Sequence, residues 1–218
     1  MNKQILKDHF LKRIIILLIG FALMSLGIAF SIKASLGTSP ISSVPYVTSS
    51  ISGLSVGATT IIINIIFIIL QILILRKKYN WFQLLQIPAL FIFGIMIDFS
   101  QFLIKDITCS NYFQQWIICF LGIFLVGLGI SIEVMAKLVT TPGEGVVLAI
   151  CQVFPVKFGN TKIAFDVTLV LISIVTVLIY LGHLEGVREG TLVAAVCVGF
   201  IARQFNKPLK VFEQKYLS

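Results

Sequence analysis

Two stretches of this chain share one pattern: LGTSPISSVP at residues 36–45 and LVTTPGEGVV at residues 138–147. Each follows a long apolar run and places Ser or Thr directly before Pro. Ser or Thr at the N-cap with Pro at the first helical position is a typical helix start. The sequence therefore predicts short helices from Pro40 to about Ser52 and from Pro142 to about Phe154. Helices of about 13 residues, roughly 20 Å long, are too short to cross a membrane.

Both stretches belong to an internal repeat with an offset of about a hundred residues. The matches include glycine, threonine and proline, which are scarce in oily segments: Gly20 with Gly122, Gly27 with Gly129, Ala34 with Ala136, Leu36 with Leu138, Thr38 with Thr140, Pro40 with Pro142, Gly57 with Gly159 and Thr59 with Thr161. After a three-residue shift, residues 93–95 fall on residues 198–200. We therefore predict a single transmembrane domain over residues 1–218, with repeat 1 at about 12–105 and repeat 2 at about 114–210.

The composition indicates a membrane protein. The 218 residues are 58% hydrophobic and 12% charged, with a mean hydropathy of +1.03, and a soluble chain of this size cannot bury so much apolar surface. Six apolar runs supply the predicted spans: 14–32, 58–75, 84–104, 117–134, 163–181 and 192–202, the last with 186–191 as its first turns. The first run is too long for a signal peptide and is interpreted as an anchor that stays.

The positive charges predict the orientation of these spans. If neither short helix crosses and the N-terminus is cytoplasmic, all but three of the 17 Lys and Arg residues face the cytoplasm, the exceptions being Lys33, Lys105 and Arg188. If one or both short helices crossed the membrane, the Lys and Arg residues would be divided more evenly between its two sides, which the positive-inside rule disfavours. Three spans per repeat is an odd number, so the two copies must face opposite ways.

The predicted fold is therefore an all-α polytopic membrane protein with six transmembrane helices in two inverted three-helix repeats. Each repeat has a short re-entrant or interfacial helix after its first span. In transporters of this plan the binding sites lie near the midplane between the repeats, where broken helices contribute polar backbone.

The two helix starts are the first candidate binding residues, because a helix N-terminus offers free amide donors and a partial positive charge. The predicted substrate-binding residues are Thr38, Ser39, Pro40, Asn64, Thr140, Thr141, Pro142, Glu144 and Asp166. Glu144 is predicted either to hold a proton or a cation at the break or to form a capping box with Thr141. Asn64 and Asp166 occupy matching repeat positions, and Asp166 is placed in the first turn of its helix, within reach of Lys162 at i, i+4.

Two further carboxylates have structural interpretations. Glu133 precedes Lys137 by one helical turn and is expected to form a snorkelling pair near the cytoplasmic interface. Asp98 has no basic partner nearby in its own helix and either lines an outward-facing cavity or approaches the outer interface.

No catalytic constellation, metal site, disulfide framework or nucleotide-binding motif is recognised, so we expect no enzyme activity and no cofactor. The expected function is a small transporter or exporter of a small polar or charged solute. The alternatives are a substrate-binding subunit like the S-component of an energy-coupling-factor importer and a non-transporting regulatory membrane protein. The expected partners are a small-molecule or ion substrate and membrane lipid, without nucleic acid; a homo-oligomer or partner subunits are compatible with the sequence.

At ASLGTSP (34–40), its echo AKLVTTP (136–142) and REGTLVAAVCVGFIAR (188–203), the sequence resembles the YczE/YyaS/YitT group of bacterial integral membrane proteins. The resemblance implies a polytopic helical fold in the bacterial inner membrane, with both termini cytoplasmic by the charge distribution above. It implies no particular activity. The aromatic and acidic pair that this group leads us to expect after the first proline is replaced here by Ile41 and Ser42.

Overall fold

The computed structural model describes residues 10–183 and 186–216, and this part of the chain is entirely helical apart from its connections. The α-helices are α1 (Phe10–Ala34), α2 (Pro40–Ser52), α3 (Val56–Leu75), α4 (Gln86–Leu103), α5 (Tyr112–Ala136), α6 (Pro142–Val153), α7 (Phe158–Leu181) and α8 (Glu189–Tyr216). Two short 3₁₀ segments, Arg76–Lys78 and Trp81–Leu85, connect α3 to α4. The expected helix starts at Pro40 and Pro142 are confirmed, and the short helices end close to the expected residues.

Five of these segments are long and apolar enough to cross a membrane: those built on α1, α3, α4, α5 and α7. The helix α8 is long enough but is not in this set, because its apolar part is short and is followed by Arg203 and further basic residues. The expected first turns at 186–191 form only from Glu189 onward, since Gly186 adopts a φ of +78° outside the helix. The all-α architecture is thus confirmed, and five of the six predicted spans are long and apolar enough to cross a membrane.

Helices α1 and α5 form the central pair of the bundle. Gly20 lies against Gly129, whereas Gly27 lies against Gly122, so the two helices run antiparallel. A Cβ on Gly27 would stand only 2.7 Å from the Gly122 carbonyl oxygen, and one on Gly122 only 2.8 Å from the Gly27 carbonyl oxygen. Small residues at these crossings let the backbones touch, which is how helices commonly associate in a membrane.

Each helix of this central pair has another long helix packed against it. Helix α4 lies against α1, and α8 lies against α5. Two further contacts cross between the predicted repeats: α2 packs on α7, and α3 packs on α6. A hydrogen bond of 2.8 Å joins Ser43 on α2 to Ser173 on α7, while Gln71 on α3 donates from Nε2 to the Pro142 carbonyl at 2.9 Å.

Candidate functional site

The two chain breaks begin their helices as expected but without side-chain caps. Ser39 and Thr141 are the N-cap residues, and neither makes a side-chain capping hydrogen bond. The Ser39 hydroxyl instead donates to the Ser42 hydroxyl at 3.0 Å. The predicted capping box between Thr141 and Glu144 is wrong, because the Thr141 amide donates to the carboxylate of Glu133, a residue of another helix.

A cavity of about 80 Å³ lies where the two breaks meet. Its polar lining comes from both repeats: Ser39, Ser42, Thr60 and Asn64 from the first, with Gln86, and Glu133, Thr140, Thr141 and Glu144 from the second. The other walls are mainly apolar and include Phe21, Leu90, Phe93 and Ile130. At roughly 30 Å³ per water, this central cavity has room for a few waters or a solute of a few heavy atoms.

A larger recess adjoins each break. The first vestibule, of about 310 Å³, lies beside the first break, and the second vestibule, of about 350 Å³, lies beside the second. Many of their lining residues occupy equivalent repeat positions: Ser31, Ile32, Ser35, Gly37 and Thr38 in the first match Glu133, Val134, Lys137, Val139 and Thr140 in the second. Five positions of the predicted repeat therefore line a recess at each break, although only Thr38 and Thr140 are the same residue type.

Among the residues that the structure describes, only those of the second vestibule are shared with the lining of the central cavity. The shared residues, which we call the neck, are Gln86, Glu133, Val139, Thr140 and Glu144. The first vestibule and the central cavity have no described lining residue in common. The cavity thus continues into the second vestibule and is separated from the first.

Backbone hydrogen bonds tie the first break to the start of α8. The Thr38 amide donates to the Gly186 carbonyl at 3.0 Å, and the Gly190 amide donates to the Leu36 carbonyl at 2.8 Å. Gly37 between them has a φ of +100°, and a Cβ there would collide with the Thr191 hydroxyl. Glycine is required at this position both for its conformation and for the close approach; the equivalent residue of the second break is Val139.

Six of the nine predicted binding residues line the central cavity: Ser39, Asn64, Thr140, Thr141, Pro142 and Glu144. Thr38 lines the first vestibule instead. Pro40 is buried beside the cavity, where its carbonyl accepts a hydrogen bond of 2.7 Å from Ser43.

Asp166 lies outside the lining of the central cavity and forms the predicted ion pair with Lys162, at 2.6 Å. Its predicted place in the first turn is wrong, because α7 begins at Phe158 and Asp166 lies two turns into the helix. Asn64 lies equally far into α3, which keeps the predicted correspondence between the two residues.

The sequence interpretation missed two residues of the neck. Glu133 was expected to snorkel, but it is only 3% exposed and points to the start of α6. Its position inside an apolar run was the available signal, since an acidic residue within a span is by default a functional candidate. Gln86 is also 3% exposed, and its Oε1 has no hydrogen-bond partner.

Four charged residues interact around the neck. The carboxylates of Glu133 and Glu144 are near enough to repel each other, and Glu144 also interacts with Lys162 and Asp166. Lys162 attracts Glu144 more strongly than Asp166 repels it, but Lys162 also forms an ion pair with Asp166 and therefore offsets the charge of Glu144 only in part. Buried carboxylates that repel each other are stabilised by a proton or a bound cation.

Asp98 has a structural role at the opposite end of the bundle. Its carboxylate accepts a hydrogen bond of 2.6 Å from the Ser55 hydroxyl and one of 2.7 Å from the Gly57 amide. Neither expectation for this residue described that role, because the partners belong to the start of α3, another helix. Asp98 therefore stabilises the N-terminus of α3 in the way that Glu133 stabilises that of α6.

Comparison with known proteins finds a family of unknown function and similar proteins of Bacillus subtilis. The model of DUF6198, a family of unknown function, matches residues 11–207. The chain is 33% identical over 202 residues to the uncharacterized protein YyaS of Bacillus subtilis (strain 168), covering 92% of this chain and 94% of the relative. It is 25% identical over 193 residues to the uncharacterized membrane protein YczE of the same organism, covering 88% of this chain and 84% of the relative. No solved structure matches the chain.

Proposed function

Since the chain belongs to DUF6198, a family of unknown function, we propose a function from its own geometry: a small transporter or exporter that moves a small polar or charged solute between two inverted repeats. The observation that carries the proposal is the convergence of both breaks on one small cavity, with a vestibule built from equivalent residues beside each break. Polar groups at two helix breaks, inside an otherwise apolar bundle, are the usual construction of a transport site. Covalent chemistry has no part in this proposal.

Reciprocal contacts support the inverted arrangement of the two repeats. Gly20 contacts Gly129, which is the repeat equivalent of Gly27. Gly27 in turn contacts Gly122, which is the repeat equivalent of Gly20. An antiparallel pair of equivalent helices with this reciprocity has an approximate two-fold axis between them, as an isologous interface requires.

The cross-repeat contacts of the short helices support the same axis. Ser43 meets Ser173 across α2 and α7, and their repeat equivalents, Gly145 and Gln71, meet across α6 and α3. A Cβ on Gly145 would stand 2.6 Å from Gln71 Nε2. The same two repeat positions are thus in contact twice, with different residue types each time, which a shared symmetry explains.

In the proposed topology α8 provides the sixth span, and both termini lie in the cytoplasm of a bacterial inner membrane. The basic residues Arg76, Lys77 and Lys78 after α3 and Arg203 on α8 then face the same side, in agreement with the positive-inside rule. Lys3 and Lys7, which contributed to this expectation, lie outside the described residues. The second vestibule becomes the cytoplasmic one and the first becomes the outer one.

The short helices are proposed to be re-entrant rather than interfacial. Their first turns approach each other, because a Cβ on Gly143 would stand 3.3 Å from Ile41 Cδ1. Two helices that enter from opposite faces can touch only if both reach the interior of the membrane. The structure then corresponds to a state open to the cytoplasm, and transport requires a second state in which the bonds between the first break and α8 open.

Cysteine accessibility tests this pathway. In a background with the four natural cysteines replaced by alanine, Ser39→Cys and Thr141→Cys are each labelled with a membrane-impermeant thiol reagent from either side of oriented vesicles. We expect rapid labelling from the cytoplasmic side and slower labelling from the outside, because the outer path opens only transiently. Ser25→Cys is the matched control, since Ser25 is 1% exposed and faces Ser100 between α1 and α4.

Labelling of Ser39→Cys and Thr141→Cys no faster than that of Ser25→Cys would contradict the pathway. Flux by the purified chain in liposomes would separate a transporter from an S-component-like subunit, which requires its ATPase partners. A regulatory membrane protein would instead bind a protein partner and support no flux.

A further inference from the structure

The neck between the central cavity and the second vestibule contains a buried hydrogen-bond acceptor without a donor. Gln86 is 3% exposed, lines both spaces, and its Oε1 has no hydrogen-bond partner. A buried polar atom left unpaired is destabilising, and most such atoms in native proteins have a partner. Because Gln86 lines both spaces, a donor group on a ligand in the neck is the candidate partner for this oxygen.

The other polar groups of the neck are also mainly acceptors. Glu133 and Glu144 contribute carboxylates, and Thr140 contributes a hydroxyl that accepts as well as donates. Among the described residues that line the central cavity there is no Lys or Arg. Lys137 lies farther out, on the wall of the second vestibule. The neck therefore attracts a group that is positively charged and rich in N–H donors.

The charges also decide against an anion at the start of α6. A free helix N-terminus would attract an anion, but here the Thr141 amide already donates to Glu133. An incoming anion would displace that carboxylate and be repelled by Glu144. Within the described residues there is also no group of three or more His, Cys, Asp or Glu side chains that could hold a metal ion.

The shape of the adjoining space favours an organic cation. Beyond the neck the central cavity is lined mainly by hydrocarbon, including Leu90, Phe93 and Ile130. An ammonium group has three N–H donors, which matches the two carboxylates and the amide oxygen. A short hydrocarbon chain attached to it would occupy the apolar part of the cavity.

We propose that the neck is the binding site for the ammonium group of a small primary amine, with Gln86, Glu133 and Glu144 as acceptors and the hydrocarbon part of the amine in the central cavity. The claim that such an amine is the transported solute rests on the proposed function. The binding claim does not, because it concerns the site alone.

The test measures binding of n-butylammonium to the purified full chain by isothermal titration, with butanol and butyrate as neutral and anionic isosteres and NaCl and KCl as further arms. We expect saturable binding of n-butylammonium only. Gln86→Met keeps the side-chain volume but removes the unpaired Oε1, so it should weaken n-butylammonium binding at least about tenfold. The Tm of this variant should be unchanged or higher, because no buried acceptor is left without a donor. Glu144→Gln should weaken binding by at least as much.

Asp106→Asn is the matched control, since it removes one negative charge from an exposed position away from the neck. Its affinity for n-butylammonium should stay within about twofold of the original chain. Glu133→Gln is less suitable alone because Glu133 also holds the start of α6. Gln86→Met and Glu144→Gln therefore decide the outcome.

Absence of n-butylammonium binding up to about 10 mM would overturn the proposal. Binding of Na⁺ or K⁺ alone, equal binding of butanol, or unchanged affinity in Gln86→Met and Glu144→Gln would do so too. Amine binding without flux in liposomes would leave the site intact and refute the proposed function. Flux of another solute without amine binding would refute the amine site and leave the proposed function intact.

Discussion

Replacing Gly27 by alanine tests the central contact between α1 and α5. The added methyl carbon would stand 2.7 Å from the Gly122 oxygen and from both Val126 N and Cγ2, whereas ordinary contact begins at 3.4 Å. The helices must therefore separate by about 0.7 Å, because two of these three atoms belong to the backbone and cannot turn away. Overpacking of this kind costs about 1–3 kcal/mol.

Gly199→Ala is the matched control, since a Cβ on Gly199 meets no atom within 4 Å. Both substitutions gain the same helix propensity, up to about 1 kcal/mol, so their difference isolates the packing cost. A difference of about 2 kcal/mol corresponds to about 4–8 °C in Tm for a chain of this size.

The assay is thermal unfolding of the detergent-purified protein, followed by the fluorescence of its two tryptophans. We expect Gly27→Ala to melt below Gly199→Ala by this amount. Equal melting temperatures, or a higher one for Gly27→Ala, would show that α1 and α5 do not meet backbone to backbone at this glycine.

Three other predictions concern the packing of the helices and their topology. Gly145→Ala should destabilise the chain by about 1–3 kcal/mol, because its Cβ would clash with the Gln71 side chain. Much of that loss should disappear in the Gln71→Ala background, so a double-mutant cycle should give a coupling energy of about 1 kcal/mol or more, whereas additive losses would contradict the contact. Asp98→Ala should lower the free energy of unfolding by about 1–3 kcal/mol, because it removes both acceptors from the start of α3. Asp98→Asn should lower it clearly less, because it keeps one acceptor. Equal losses of Tm in the two variants would argue against the capping role. In a cysteine-free background, Asn80→Cys and His183→Cys should be labelled from the cytoplasmic and the outer face respectively, and labelling of both from one face would refute the proposed topology.

Local sequence was sufficient for the breaks and for the membrane class. Thr or Ser before Pro predicted the starts of α2 and α6, because proline at the first helical position fixes the backbone locally; the side-chain caps themselves do not form. The pairing of Lys162 with Asp166 was predictable for the same reason, since i, i+4 neighbours meet on any helix. The length and hydropathy of the apolar runs predicted six spans, and five of them are long and apolar enough in the structure to cross a membrane.

The partners of Glu133, Asp98 and Gln86 were decided by tertiary structure. Glu133 had a suitable local partner in Lys137, yet its carboxylate accepts from the start of α6, because packing of α5 buried it beside a free amide. Asp98 is half-buried and also accepts from unpaired donors of another helix, those at the start of α3. Helical periodicity gives the face on which a side chain lies, but the helix opposite that face, and hence the neck around Gln86, follows only from the arrangement of the whole bundle.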